Sequence, residues 1–191
     1  MIYLTADLHF CHYKPFIYEP RGFDSVEQMN EAIISNWNEI VKPEDEVYVL
    51  GDIMLKDNEK GIECWNRLCG TKHIILGNHD TSPRIALYKT APDTIVEGYA
   101  MPFVYEHHTF FLTHYPTITT NFDIEEPLKK RVINLCGHVH TMDRFSDFDK
   151  GLIYHVELNA HQNRPVSIDQ IIEDINNKLG LGTEVQHLKE Q

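Results

Sequence analysis

Long apolar runs are missing from this sequence: none approaches the roughly 20 residues that a bilayer-spanning helix needs, so no membrane segment is expected. Positive charge is also scarce. With 17 Lys and Arg against 29 Asp and Glu, the formal charge is -12. That argues against a surface tracking the phosphates of an extended nucleic-acid duplex. A small phosphate ester held by metal ions remains compatible with it. Cysteine is sparse too. Cys11, Cys64, Cys69 and Cys136 form no C-x-x-C pair, so a disulfide framework is not expected, and the four read as small buried hydrophobes. The first residues, Met1-Ile-Tyr-Leu-Thr-Ala-Asp7, lack the basic and apolar regions of a secretory signal, which makes the cytoplasm the expected location. Internal repeats, low-complexity tracts and linkers are missing as well.

What remains is a chain of 191 residues, enough to bury one core of its own. Residues 1–180 read as one domain and 181–191 as a polar tail that frays. Ile2 to Ala6 is an expected buried strand. Ser25-Val-Glu-Gln28 is a capping box, and the apolar positions Val26, Met29, Ile33, Trp37, Ile40 and Val41 give the following helix one buried face. Strands follow at Val47 to Leu50 and His73 to Leu76, separated by a helix over Glu59 to Leu68. A short helical stretch is expected near Arg84 to Lys89. Later strands are predicted at Thr94 to Glu97, Met101 to Tyr105, Thr109 to Thr113, Val132 to Cys136 and Leu152 to Leu158. A second capping box, Ser167-Ile-Asp-Gln170, opens a last helix with Ile168, Ile171, Ile172, Ile175 and Leu179 inward. Alternating strands and helices imply parallel pairing in the first half, whereas the second half is strand-rich. The class is therefore α/β, one domain with two packed sheets.

Five of these strands run into residues able to hold metal: Asp7-Leu-His9, Gly51-Asp52, Gly77-Asn78-His79-Asp80, His114 and Gly137-His138-Val-His140. The carboxyl ends of strands are where α/β sheets collect their sites. The x-spaced pairs Asp7/His9 and His138/His140 are expected to alternate as on a strand, with both members pointing one way. Gly51, Gly77 and Gly137 each precede a candidate ligand, where a missing side chain lets backbone and ion approach. Each piece alone is common; five in order, each at a strand end, are hard to attribute to chance.

The ordered set D-x-H, G-D, G-N-H-D, H and G-H-x-H resembles the calcineurin-like metallophosphoesterase superfamily, from Asp7 to His140. The opening Thr-Ala-Asp-Leu-His-Phe, the helix from Met29-Asn30 to Trp37-Asn38 and the His114-Tyr-Pro step look like a compact bacterial and phage subgroup. The resemblance implies a two-sheet β-sandwich flanked by helices, with two metal ions at one edge. It assigns Asp7, His9 and His140 to one ion and Asn78, His114 and His138 to the other, with Asp52 bridging. A hydroxide between the ions would attack phosphorus, and His79 would protonate the leaving oxygen as general acid; imidazoles titrate near neutral pH. Nitrogen donors beside carboxylate and amide oxygens suit divalent transition metals, Mn foremost, with Fe, Zn, Ni or Co also compatible, better than Ca or Mg.

The expected activity is hydrolysis of small phosphomonoesters or phosphodiesters. Two alternatives are a non-catalytic protein-binding scaffold of the same fold and a nuclease using the same site. A protein phosphatase is disfavoured by Ile-Met-Leu-Lys after Gly51-Asp52, and a lipid-precursor pyrophosphatase by the missing apolar insertion. A homodimer is compatible with the sequence. Arg21 and Arg84 are candidates to clamp a phosphate, against the alternative of ordinary surface arginines. Asp80 either orients His79 or caps a turn, and Tyr115 either lines the pocket or packs. His12 reads as a solvent-facing loop residue, His107-His108 as an exposed hairpin tip and Cys136 as core.

Overall fold

The computed structural model describes residues 1–119, 132–148 and 151–180; the expected tail lies outside the described residues. Strands β1 (Ile2–Thr5), β2 (Glu46–Leu50), β3 (Thr71–Ile75) and β4 (Thr94–Gly98) pair side by side in parallel. Helices cross over between them, as parallel pairing requires: α1 (Pro15–Tyr18) and α2 (Val26–Ile40) after β1, α3 (Asn58–Asn66) after β2, and α4 (Ser82–Tyr88) after β3. Both serines cap as expected, but the glutamines do not reach back to them. Gln28 Oε1 accepts from the Asp24 N–H, and the Gln170 amide donates to Glu173 and Asp174. Ser25 accepts a hydrogen bond from the Gln28 N–H at 3.1 Å, and Ser167 accepts one from the Gln170 N–H at 3.2 Å, opening α5 (Ile168–Lys178). α3 starts on Asp57, whose carboxylate accepts from the Lys60 N–H at 3.0 Å.

The second sheet has the order β5-β6-β7-β9-β8, from β5 (Ala100–Tyr105), β6 (His108–Thr113), β7 (Val132–Cys136), β8 (Phe145–Phe148) and β9 (Gly151–His155). β5 and β6 form the expected hairpin, with His107 exposed at its tip; His108, expected to be exposed too, starts β6 half-buried with its ring stacked on Phe110. The expected strand over Leu152 to Leu158 ends at His155, because the chain crosses to the first sheet, where Glu157 bridges Ala6 before a 3-10 turn over Leu158–His161. Two strands went unpredicted: β8, and the two-residue β10 (Val166–Ser167), which pairs antiparallel with β1.

Alternation along the strands sets the packing. Leu4, Ala6, Tyr48, Leu50 and Ile75 meet Phe110, Leu112, Ile133, Leu135 and Tyr154 in a core between the sheets. Val47, Val49, Ile74 and Leu76 point the other way, onto Met29, Ile33, Trp37 and Trp65 of the helices. A period-two pattern buried on both faces explains why these strands read as continuous apolar runs. Neighbouring ends of β1, β2 and β3 in one sheet and of β6 and β7 in the other then lie together along one edge.

Candidate metal centre

Every candidate ligand lies just past a strand end, and the turns that carry them are unusual. Asp7, His9, Asp52, His138 and His140 all have left-handed backbone, with φ of 58°, 51°, 57°, 78° and 54°. This corrects the expectation that Asp7/His9 and His138/His140 alternate as on a strand. β1 and β7 have ended by then, and each ligand converges because the chain turns back at it. Non-glycine residues in this region cost on the order of 1–3 kcal/mol each and persist only where surrounding structure holds them.

The holding contacts are visible. The Asp7 N–H donates to Gly51 O at 3.0 Å and the His9 N–H to Asp52 O at 3.0 Å, tying the first two ligand loops together. Asp7 Oδ2 accepts from the His138 N–H at 2.8 Å, tying the first sheet to the second. Arg21 is buried; it donates to Asp7 O at 2.6 Å, Leu8 O at 3.2 Å and Asn159 Oδ1 at 2.9 Å. Its fork is spent on protein acceptors behind the ligand loop, which corrects its reading as a surface or phosphate-clamping arginine. Arg84 likewise turns inward, donating to His79 O and to Asn58 Oδ1. Of its two expected readings, Asp80 follows the cap: its carboxylate closes the Gly77-to-Asp80 turn. Its carboxylate accepts from the Asp52 N–H at 2.9 Å, the Gly77 N–H at 2.8 Å and the Tyr88 hydroxyl at 2.8 Å, bracing two ligand loops.

The glycines are required by space. A Cβ on Gly137 would stand 2.2 Å from Asp7 Oδ2, and one on Gly77 would stand 2.3 Å from Asp52 Oδ1.

The ligand atoms face one another in two overlapping groups, Asp7 with His9 and His140, and Asp7 with Asp52 and His114. In the first, His9 Nε2 lies 3.0 Å from His140 Nε2 and 3.5 Å from Asp7 Oδ1. Two ligands at about 2.1 Å from one transition-metal ion stand roughly 3.0–3.4 Å apart for octahedral to tetrahedral geometry. In the second, His114 Nε2 lies 3.6 Å from Asp52 Oδ2, and two residues outside the group approach it as well, Asn78 Oδ1 at 2.9 Å and His138 Nδ1 at 3.2 Å. His114 Nδ1 meets Leu50 O at 2.8 Å, so that nitrogen carries the proton and Nε2 offers its lone pair to the site. Asp52 Oδ2 lies 3.8 Å from His9 Nε2 and 3.6 Å from His114 Nε2, whereas Oδ1 accepts the His79 N–H at 2.9 Å. Both groups therefore face a single oxygen of Asp52.

The donor set fits a cation. Asp7 Oδ1 and His9 Nδ1 are buried with no hydrogen-bond partner among the described residues. Burial pushes the Asp7 carboxyl up, but His9, His140 and His114 more than offset this and hold it at about 2. Burial lowers His9 and His140 to about 4. At neutral pH the carboxylate is thus ionised and the imidazoles neutral, the forms that bind metal. Asp52 is pushed up to about 6, mainly by burial, with Asp7 and Asp80 adding to it. A cation would relieve that crowding of carboxylates.

His79 stands at the mouth, its side chain 40% exposed and its Nε2 3.8 Å from Asp52 Oδ2. Tyr115 is half exposed and packs edge-on against His138, with ring centres 4.5 Å apart. His12 is buried, not solvent-facing, with its ring 5.2 Å from that of His9. Glu157 escaped the sequence reading. It is fully buried and accepts from the Thr141 N–H at 2.5 Å, beside the His140 turn. Its signal was a carboxylate inside the apolar run Ile153-Tyr-His-Val-Glu-Leu158. Cys136 is core as expected, and all four cysteines are free.

Two mixed sheets flanked by helices, with a histidine–carboxylate cluster where their strand ends meet, define an α/β protein with a candidate metal centre. The chain belongs to the same family as the uncharacterized protein MJ1445 of Methanocaldococcus jannaschii, 32% identical over 90% of this chain and 89% of that one. The Gene 66 protein of Mycobacterium phage D29 is 27% identical over 92% of this chain and 96% of its own length. No family model matches. Among solved structures, a protein of unknown function, AQ665 from Aquifex aeolicus, shares the fold at TM-score 0.66 and 23% identity, over 91% of this chain and 98% of that one. A structure described as a novel archaeal phosphodiesterase superposes more loosely, at TM-score 0.48 and 19% identity, over 84% and 86% of the two chains. Among the described residues, no helix is long and apolar enough to cross a membrane.

Proposed function

We propose that this protein is a binuclear metal-dependent phosphoesterase, hydrolysing phosphomonoesters or phosphodiesters. The observation that carries the reading is the meeting of two ligand groups at one oxygen, Asp52 Oδ2. Asp7, His9 and His140 would hold one ion, Asn78, His114 and His138 the other, and Asp52 would contact both. Such ions supply Lewis acidity at the phosphoryl oxygens and lower the pKa of bound water.

The chain's own groups then have distinct tasks. Asp52, buried and braced through Asp80, fixes the centre of the site. His79 hangs its ring over that centre from a backbone N–H anchored on Asp52 Oδ1, and Arg84 holds its carbonyl from the other side. From there His79 Nε2 can hand a proton to the departing oxygen, the task of a general acid. Arg21, Asp80 and Glu157 hold the ligand loops in their left-handed turns.

The test is metal content together with turnover of bis(p-nitrophenyl) phosphate. Chelator-treated protein should be inactive, and added Mn should restore activity. Full turnover in excess chelator, with no transition metal by elemental analysis, would sink the reading.

A further inference from the structure

We propose that a subsite beside the metal centre receives a nucleotide as leaving group, so that the substrate is a phosphodiester whose departing half carries its own phosphate. The inference rests on the phosphoesterase reading, in which His79 protonates the departing oxygen. A cavity of about 400 Å³ opens from His79 and is lined among others by His12, Lys14, Phe16, Leu55 and Lys56. That volume lies within the range of sites for small organic ligands. His79 forms one wall and the ligands His9 and His140 another, so a group that departs toward His79 has this cavity to enter.

The lining then describes that group. Phe16 is 67% exposed and edge-on to His12, with ring centres 5.6 Å apart. It sits on the short helix α1, whose backbone Pro15 opens. Leu55 and the buried Ile17 add apolar surface beside it. A flat ring such as a nucleobase stacks on this kind of surface whatever its sequence identity.

The charges point to an anion. In a chain of formal charge -12, four cationic side chains among the described residues are ion-paired, Lys60 with Glu27, Arg67 with Glu31, Arg144 with Asp174 and Arg164 with Glu39. Lys14 and Lys56 are exposed, and neither ammonium group has a hydrogen-bond or ion-pair partner among the described residues. Two unpaired ammonium groups at one cavity rim favour a phosphate there.

In the reaction, water oxygen bonds to the bridging phosphorus as the bond from phosphorus to the 3′ oxygen breaks. His79 gives that oxygen its proton, and the water's own proton leaves to solvent. The linear dinucleotide pApA would yield two molecules of AMP; ApA, without the 5′-phosphate, would yield adenosine and AMP.

The experiment compares kcat/KM of the full-length, Mn-loaded protein on pApA, ApA and bis(p-nitrophenyl) phosphate. Wild type should prefer pApA over ApA by about tenfold, the scale of one or two charge-assisted contacts at a partly wet surface. Lys14→Ala/Lys56→Ala should erase that preference. Phe16→Ala should lower both dinucleotides about tenfold relative to the aryl diester while keeping their ratio. All three residues are exposed, so unchanged melting temperature and metal content should accompany these effects. A pApA/ApA ratio near one in wild type, or one that the lysine variant leaves unchanged, overturns the subsite while aryl diester turnover keeps the phosphoesterase reading. No turnover of any of the three substrates overturns both.

Discussion

His9 and His140 face each other through their Nε2 atoms at 3.0 Å, one from each sheet. Burial lowers both to about 4, so both rings are neutral at neutral pH, and each Nε2 that carries no proton can offer a lone pair to a cation. A cation held by both rings would tie the two sheets together at this edge, and its binding would then be linked to folding.

Gly137→Ala tests how tightly the edge is built. The added methyl meets Asp7 Oδ2 at 2.2 Å and Ala6 Cβ at 2.5 Å, so the His138 loop must move away from β1. Overpacking of this kind costs about 1–3 kcal/mol. The expected outcome is weakened metal binding together with a lower unfolding midpoint, read by elemental analysis and denaturant titration. Unchanged stoichiometry and midpoint would show that the loop yields freely.

Asp52→Asn should reduce activity more than His9→Ala. Asp52 Oδ2 faces both ligand groups, whereas His9 belongs to one. Losing charge at the centre is expected to cost at least about a hundredfold in kcat, the scale of removing one preorganised electrostatic contact. Near-native turnover with both ions retained would show that Asp52 is not the bridge.

His79→Ala should slow substrates in proportion to their leaving group's need for a proton, by up to about a hundred- to ten-thousandfold. Aryl esters should suffer least and alkyl or ribose esters most, measured where chemistry limits the rate. Metal content should survive, because the proposed ligand assignment does not use His79, whose ring stands at the mouth of the site, 40% exposed. Equal losses on both substrate types would make His79 a phosphate-binding residue instead.

The metal-free protein should lose stability as pH rises from about 6.5 to about 8. Burial, with Asp7 nearby, pushes Glu157 from 4.5 up to about 8, so the folded chain keeps a proton that the unfolded chain has released. Its stabilising effect is complete below the unfolded value and lost as pH climbs through the folded one. His9, His12, His140 and His161 are lowered to about 4 and act oppositely, but only below 6.5. Asp52, at about 6, is ionised by then. Denaturant midpoints at the two pH values should converge in Glu157→Gln; an equal fall in the variant would assign the effect elsewhere.

Local signals were legible in the sequence because their physics is local. The Ser25 and Ser167 caps, the apolar face of α2 and the strand ends at Leu50 and Cys136 depend on neighbours within a few residues. The ligand positions were legible for a related reason: glycine and carboxylate or imidazole succeed one another where a strand must turn. The short β10 was hidden, since two residues become a strand only by meeting β1. Arg21 and His12 were misjudged because burial is decided by partners far along the chain; Arg21 finds Asn159. Asp7 and His9 followed strand spacing in the sequence, whereas their left-handed backbone depends on bonds to Gly51 and Asp52.

The central claim is a pair of ions sharing Asp52, and anomalous diffraction from crystals grown with Mn addresses it most directly. The expected map has two peaks roughly 3.5–4 Å apart. One should lie among Asp7, His9 and His140, the other among Asn78, His114 and His138, with Asp52 Oδ2 touching both. A single peak in crystals of fully active protein, or two peaks with Asp52 contacting only one, would contradict it.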